Sequence, residues 1–199
     1  MAMDENAVVD ELYGGSRDDF LPTRTERAKQ ARAAGDRELA GRIAALRKPT
    51  VGAWLVNQIV RRYPEQLVEV EKLAERMRAA HQHGDGERIR AAGRDRQVLL
   101  RELDSLVRQV ADADGLRLGA DAAGQVTTTF QAALVDPAAL RTVLGGTLAV
   151  AVEQDADLIG LLPDVDAPAP MWTVRPDRPV ARTPAPKPAA PAETQAPVE

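Results

Sequence analysis

The residues that could do chemistry are few and poorly placed for it. The chain holds two histidines, His81 and His83, two serines, Ser16 and Ser105, and no cysteine. His81 and His83 are two residues apart, near a helix end that also carries Asp85 and Glu87. A helical metal pair needs ligands three or four residues apart, with further ligands elsewhere. Neither serine sits in a nucleophile-elbow context, so a Ser-His-acid triad has no starting point. The glycine-bearing stretches "YGGS", "HGDG" and "LGGT" lack the lysine-serine of a phosphate-binding loop and the strand–GxGxxG–helix order of a dinucleotide site. These readings predict no catalytic residues, no metal and no cofactor.

A different constellation stands out in "PTVGAWLVNQIVRRYP", residues 49–64. At 100° per residue, Val51, Gly52, Ala53, Leu55, Val56, Ile59 and Val60 share one broad apolar arc. Trp54, Asn57, Gln58 and Arg61 border it, with Trp54 and Gln58, and Asn57 and Arg61, as i,i+4 neighbours. This edge has two readings. The amides can bond to chain ends while the indole covers a neighbouring helix, or the four side chains form a recognition patch for a partner. Arg96 falls inside the apolar stripe of a later helix, where an arginine needs a partner or a route to solvent. It is a candidate member of the same seam. Trp172, in "APMWTVRPDRP", is a candidate short docking motif, or an incidental residue that folds back.

The elements that must position these residues are helical. Hydrophobic residues make up 44% of the 199 and aromatics only 3%, so the core is built from Leu, Val, Ile and Ala. Such a composition favours packed helices over a sandwich of strands. Helices are expected over residues 5–13 and from Ser16 to about Ala34, with Ser16 and Asp19 as an approximate capping box and Pro22 kinking or delaying the start. A third, capped by Asp36, carries Leu39, Ile43 and Leu46. Pro49 begins a fourth, and Pro64 ends it and opens a fifth with Leu67, Val70, Ala74 and Met77 aligned. A long sixth carries Ile89, Ala92, Leu99, Leu100, Leu103, Leu106, Val107 and Val110. A seventh spans about 121–134. An eighth starts at Pro137 with Asp136 as cap. "TLAVAVEQDADLIGLL" reads either as a short strand or as an amphipathic piece docking on the bundle.

Ten of the fourteen prolines lie after residue 162. A composition so poor in large apolar residues cannot offset the entropy of ordering. The expected architecture is therefore all-α: a multi-helix bundle over 1–162 and a disordered Pro/Ala-rich tail over 163–199. Without cysteine, an apolar leader or a long apolar run, the chain reads as cytoplasmic and not membrane-bound.

The net charge of -4 hides a segregation. Residues 1–20 carry six acids and one base, and residues 21–62 carry ten bases and three acids. The plain reading is helix faces that attract one another; the functional one is a basic patch for a polyanion. "DRELAGRIAALRKPTVGAWLVNQIVRR" has the outline of a helix-turn-helix, although its second helix is mostly apolar.

The stretches "LYGGSRDDF", "AAGDRELAGRIAALRKPTVGAWLVNQIVRRYPEQL", "IRAAGRDRQVLLREL" and "FQAALVDPAALRTVLGGTL" resemble an uncharacterised family of actinobacterial helical proteins. The resemblance covers roughly residues 8–150, and "LRKPTVGAWLVNQ", an LRKPTVxAWxxNQ-type motif, is its most specific part. It implies a helical fold and carries no assigned activity. The sequence thus leads to a non-enzymatic protein-interaction, scaffold or regulatory module with an unidentified protein partner. The alternative is a nucleic-acid-binding protein using the basic helices of residues 21–62.

Overall fold

The computed structural model of the chain describes residues 3–152. The expected tail, its Trp172 and the boundary at 162 lie outside them. Eight helices follow one another: α1 (Glu5–Gly14), α2 (Phe20–Ala33), α3 (Arg37–Ala45), α4 (Val51–Arg62), α5 (Pro64–His83), α6 (Gly86–Ala113), α7 (Ala120–Val135) and α8 (Pro137–Leu144). Among the described residues there is no strand, and the all-α expectation holds. No helix among them is long and apolar enough to cross a membrane.

Local chemistry sets most of the boundaries. Asp36 accepts from Leu39 N at 2.8 Å, Asp85 from Glu87 N and Arg88 N, and Asp136 from Ala138 N and Ala139 N, each covering amides that the first turn leaves open. Pro64 and Pro137 stand at first-turn positions, where no N–H is needed. Gly84 ends α5 in the left-handed region, at φ 62°, which glycine adopts without a Cβ clash.

Three boundaries differ from expectation. α2 starts at Phe20, and the Asp19 side chain makes no capping bond. Ser16 Oγ instead accepts from Asp18 N at 3.3 Å within the preceding turn. Pro22 is then a first-turn residue whose missing N–H is no loss. Thr50, not Pro49, caps α4, with its hydroxyl accepting from Ala53 N at 3.2 Å. α3 ends at Ala45, so Leu46 is its C-cap and is only half-buried.

The helices bury two clusters. Val8, Leu12, Tyr13, Phe20, Ala28, Ala31, Leu39, Ala40 and Ile43 join α1, α2 and α3. The larger cluster draws on α4 to α8, with Leu55, Ile59, Val70, Leu103, Val107, Phe130 and Val143 at its centre. α4 lies between them, packed against α1, α5, α6, α7 and α8. It is buried without a break from Gly52 to Ile59. Burying one Leu or Ile side chain contributes roughly 1.5–3 kcal/mol, so Leu55 and Ile59 anchor α4 in the larger cluster, while its contact with α1 joins it to the smaller one. After α8 the chain is non-helical from residue 147 to 152 and runs back over α4 and α7. "TLAVAV" is thus neither strand nor helix.

Candidate functional site

The α4 edge is a closed seam. Trp54 is 3% exposed, Asn57 0% and Gln58 2%. The Trp54 indole Nε1 donates to the Gly15 carbonyl at 2.9 Å. Gln58 Nε2 donates to the carbonyls of Tyr13 at 3.3 Å and Gly14 at 3.2 Å. Asn57 makes a reciprocal pair with one residue: its Nδ2 donates to the Leu148 carbonyl and its Oδ1 accepts from Leu148 N, both at 2.9 Å. Arg61 Nη1 donates to the carbonyls of Gly146 and, at 3.4 Å, Asn57, while Nη2 reaches Asp10 Oδ1 at 3.2 Å.

The partners explain why these residue types stand at these positions. The end of α1 and the segment after α8 each present backbone groups to the flank of a helix whose own backbone is already bonded. Only side chains can answer them, and buried backbone groups left unanswered are costly. An amide supplies both a donor and an acceptor, which is what the Leu148 N–H and C=O need together.

The two glycine doublets belong to the same arrangement. A Cβ on Gly14 would stand 3.0 Å from Arg61 Nε, and one on Gly146, at φ 60°, would stand 2.7 Å from Arg61 Nη1. "YGGS" and "LGGT" therefore cradle a guanidinium. The three stretches "LYGGS", "KPTVGAWLVNQ" and "VLGGTL" converge on one seam. Sequence reasoning placed the edge correctly on α4 but had no means of identifying its partners.

The turn before α4 is fastened in the same manner. Arg24 Nη1 donates to the Leu46 carbonyl at 2.6 Å, Tyr13 OH to Arg47 O at 3.1 Å, and Arg17 Nε to Pro49 O at 2.9 Å. Burial pushes the Tyr13 phenol above its usual pKa, partly opposed by the positive charge of Arg24. Thr50 N donates to Ala149 O at 2.9 Å, and Val152 N to Thr129 Oγ1 at 3.1 Å.

Arg96 stands apart from the seam's hydrogen bonds. It is half-buried on α6, its Nε is buried with no hydrogen-bond partner, and burial alone lowers its pKa. The expectation that Arg96 joins Asn57 is not met by any hydrogen bond among the described residues.

The helix-turn-helix outline is corrected. Its second helix would be α4, and a helix buried from Gly52 to Ile59 cannot lie in a major groove. The charge segregation resolves into ion pairs across the first helices. Arg27 forks onto Glu11 with two bonds of 2.7 Å, Arg42 reaches Glu5 at 3.0 Å, Lys48 reaches Asp18 at 3.4 Å and Arg61 reaches Asp10. The bond from Arg27 holds Glu11 below the usual carboxylate range.

His81 and His83 each place Nδ1 at 2.7 Å from a carbonyl one turn back, Met77 and Ala79. Among the described residues no group of three or more His, Asp or Glu comes together to hold a metal. A small cavity of about 10 Å³ between α6 and α7 is lined by Leu103, Val107, Val126, Phe130 and Asp104 among others, room for roughly one water. No family model, curated protein or solved structure matches the chain.

Proposed function

We propose that the chain is a non-enzymatic helical module that binds a protein partner as a scaffold or regulatory element. The outward face of the α5–α6 pair carries this reading. These are the two longest helices, 20 and 28 residues. They turn Leu67, Val70, Leu103 and Val107 inward, yet leave Val68 44% and Val98 47% exposed on the other side. Exposed valines amid charged residues suit a protein contact of modest size. The side chains most suited to recognition by their chemistry, those of the α4 edge, already bind the chain's own backbone, so they support the fold and leave recognition to this outer face.

Nucleic-acid binding through residues 21–62 is the second reading. It is supported less, because Arg27, Arg42, Lys48, Arg61 and Arg62 each already face a carboxylate. The resemblance to actinobacterial helical proteins, carried by four stretches over roughly residues 8–150, adds no activity.

Affinity capture from the native host, using the full chain and a chain lacking residues 163–199, with and without nuclease, tests the proposal. A protein that stays bound after nuclease treatment supports it. A partner lost with nuclease favours nucleic acid, and one lost with the tail moves the contact to Trp172 and its surroundings.

A further inference from the structure

α6 carries a second pattern that core packing does not use. Residues 88–108 hold six arginines against three acids, Asp95, Glu102 and Asp104. At 100° per residue, Arg90, Arg94, Arg101 and Arg108 fall within an arc of about 40°, on the side of the helix away from the buried Ala92, Leu99, Leu103 and Val107. All four are exposed. Arg94, Arg101 and Arg108 recur every seventh residue, about 10.5 Å apart, and the stripe from Arg90 runs about 27 Å.

The chain's own acids answer this stripe only in part. Asp95 turns to Arg76 on α5 at 3.2 Å, and Glu102 accepts from Gln66 on α5 at 2.9 Å. Arg101 Nε donates to the carbonyl of Gln97 in its own helix at 3.1 Å. Arg108 has a carboxylate on the same face, Asp104 at 2.7 Å, and Arg90 feels the charge of Asp85 at the start of the helix. Arg90 and Arg94, one turn apart, are like charges that disfavour the bare helix. Val98 is 47% exposed and lies four residues after Arg94 and three before Arg101.

We propose that this stripe docks an acidic helix of a partner protein. The partner lies along α6, with carboxylates at seven-residue intervals facing Arg94, Arg101 and Arg108 and an apolar side chain over Val98. The spacing is that of flanking charges in paired helices. A nucleic-acid strand instead carries a phosphate about every 3.4 Å of axis, and it offers nothing apolar to Val98. Residues 1–152 also carry 22 bases and 22 acids, so the domain as a whole supplies no field to gather a polyanion. The inference rests on the interaction-module reading and names the surface and the partner's chemistry.

The test is fluorescence anisotropy on the full chain. The probe is a labelled helical peptide of about three heptads with Glu at seven-residue intervals beside a Leu stripe. A Gln-for-Glu version and an oligo(dT) of about 20 nucleotides serve as the other arms. The Glu peptide is expected to bind saturably and to weaken with added salt, and the Gln peptide to fail. The triple variant Arg94→Gln, Arg101→Gln, Arg108→Gln should weaken binding about tenfold, or about 1.4 kcal/mol. Arg32→Gln with Arg37→Gln, on α2 and α3, should leave it unchanged. Circular dichroism and the urea midpoint establish that the triple variant is folded.

Absence of peptide binding, equal binding by the triple variant, or stripe-dependent binding of oligo(dT) in place of peptide would each overturn the proposal. A native partner captured equally by the triple variant would refute the stripe while leaving the interaction-module reading standing.

Discussion

Asn57→Leu tests whether the α4 edge holds the fold together. Leucine has the same branched shape but bulkier methyl ends, so the change opens no cavity and adds some crowding. It removes both bonds to Leu148, whose N–H and C=O are buried at the seam. Leaving a buried donor or acceptor unsatisfied costs about 1–3 kcal/mol each. The more favourable transfer of leucine returns part of this, so the net loss is about 2–5 kcal/mol, a large fraction of the roughly 5–15 kcal/mol that stabilises a typical domain. With a urea slope of about 2 kcal/mol/M, the unfolding midpoint falls by about 1–2.5 M at unchanged slope. Amide exchange should release Leu148 while leaving amides within α2 and α3 protected, because the loss begins where the 146–152 segment meets α4. Asn57→Asp adds a pH signature. The carboxylate keeps the acceptor for Leu148 N but faces the Leu148 carbonyl without a proton to donate. Burial raises its folded pKa above the unfolded value, so stability is greater at low pH and falls as pH rises through the folded pKa. A midpoint shift for Asn57→Leu below about 0.3 M, with Leu148 still protected, would refute the reasoning.

Three further outcomes follow from the same geometry. Gly52→Ala places a Cβ 2.6 Å from Gln125 Oε1, 2.7 Å from Gln125 Cβ and 3.2 Å from the Ala122 carbonyl. The better helix propensity of alanine, about 1 kcal/mol, is outweighed by separating α4 from α7, and thermal unfolding should show a net loss of about 1–2 kcal/mol. Arg96→Met removes a buried Nε that has no partner and keeps the apolar stem, so urea unfolding should show stability unchanged or raised by up to about 1–2 kcal/mol; a loss would reveal a partner for Arg96. Glu11→Gln breaks the fork with Arg27, whose side chains are 40% and 35% exposed, so the loss near neutral pH is at most about 1 kcal/mol and shrinks with salt. Because the Glu11 pKa is lowered in the fold, that contribution is present above the ordinary glutamate value and is lost as pH falls through the folded one. The difference between wild type and variant should therefore vanish in acid.

Much of the helical frame could be read from punctuation alone. Asp36 and Asp136 act through bonds to their own first turns, and Pro64 and Pro137 by filling first-turn positions that need no N–H, so sequence distance is no obstacle. α2 was misplaced because Ser16 and Asp19 have the right spacing for a capping box but Ser16 closes a turn of its own. The α4 edge was legible as a line of polar residues beside an apolar face. Its meaning was not, because Asn57 binds a residue 91 positions away and Trp54 one 39 away. No periodicity encodes such pairings. The glycine doublets were a local sign of them, since Gly146 takes φ 60° beside the Arg61 guanidinium and Gly14 lies against the same side chain. Burial of α4 from Gly52 to Ile59 was also hidden, because its polar residues made one flank look wet.

The most direct test of the seam is hydrogen exchange at the Trp54 indole, followed by ¹⁵N–¹H spectroscopy on the full chain with Trp172→Phe to assign the two indole signals. Bonded to the Gly15 carbonyl and 3% exposed, the Trp54 Nε1–H should exchange only through opening of the α1–α4 contact, orders of magnitude slower than a free indole. Exchange at the free-indole rate would contradict the account and return Trp54, Asn57, Gln58 and Arg61 to an open surface.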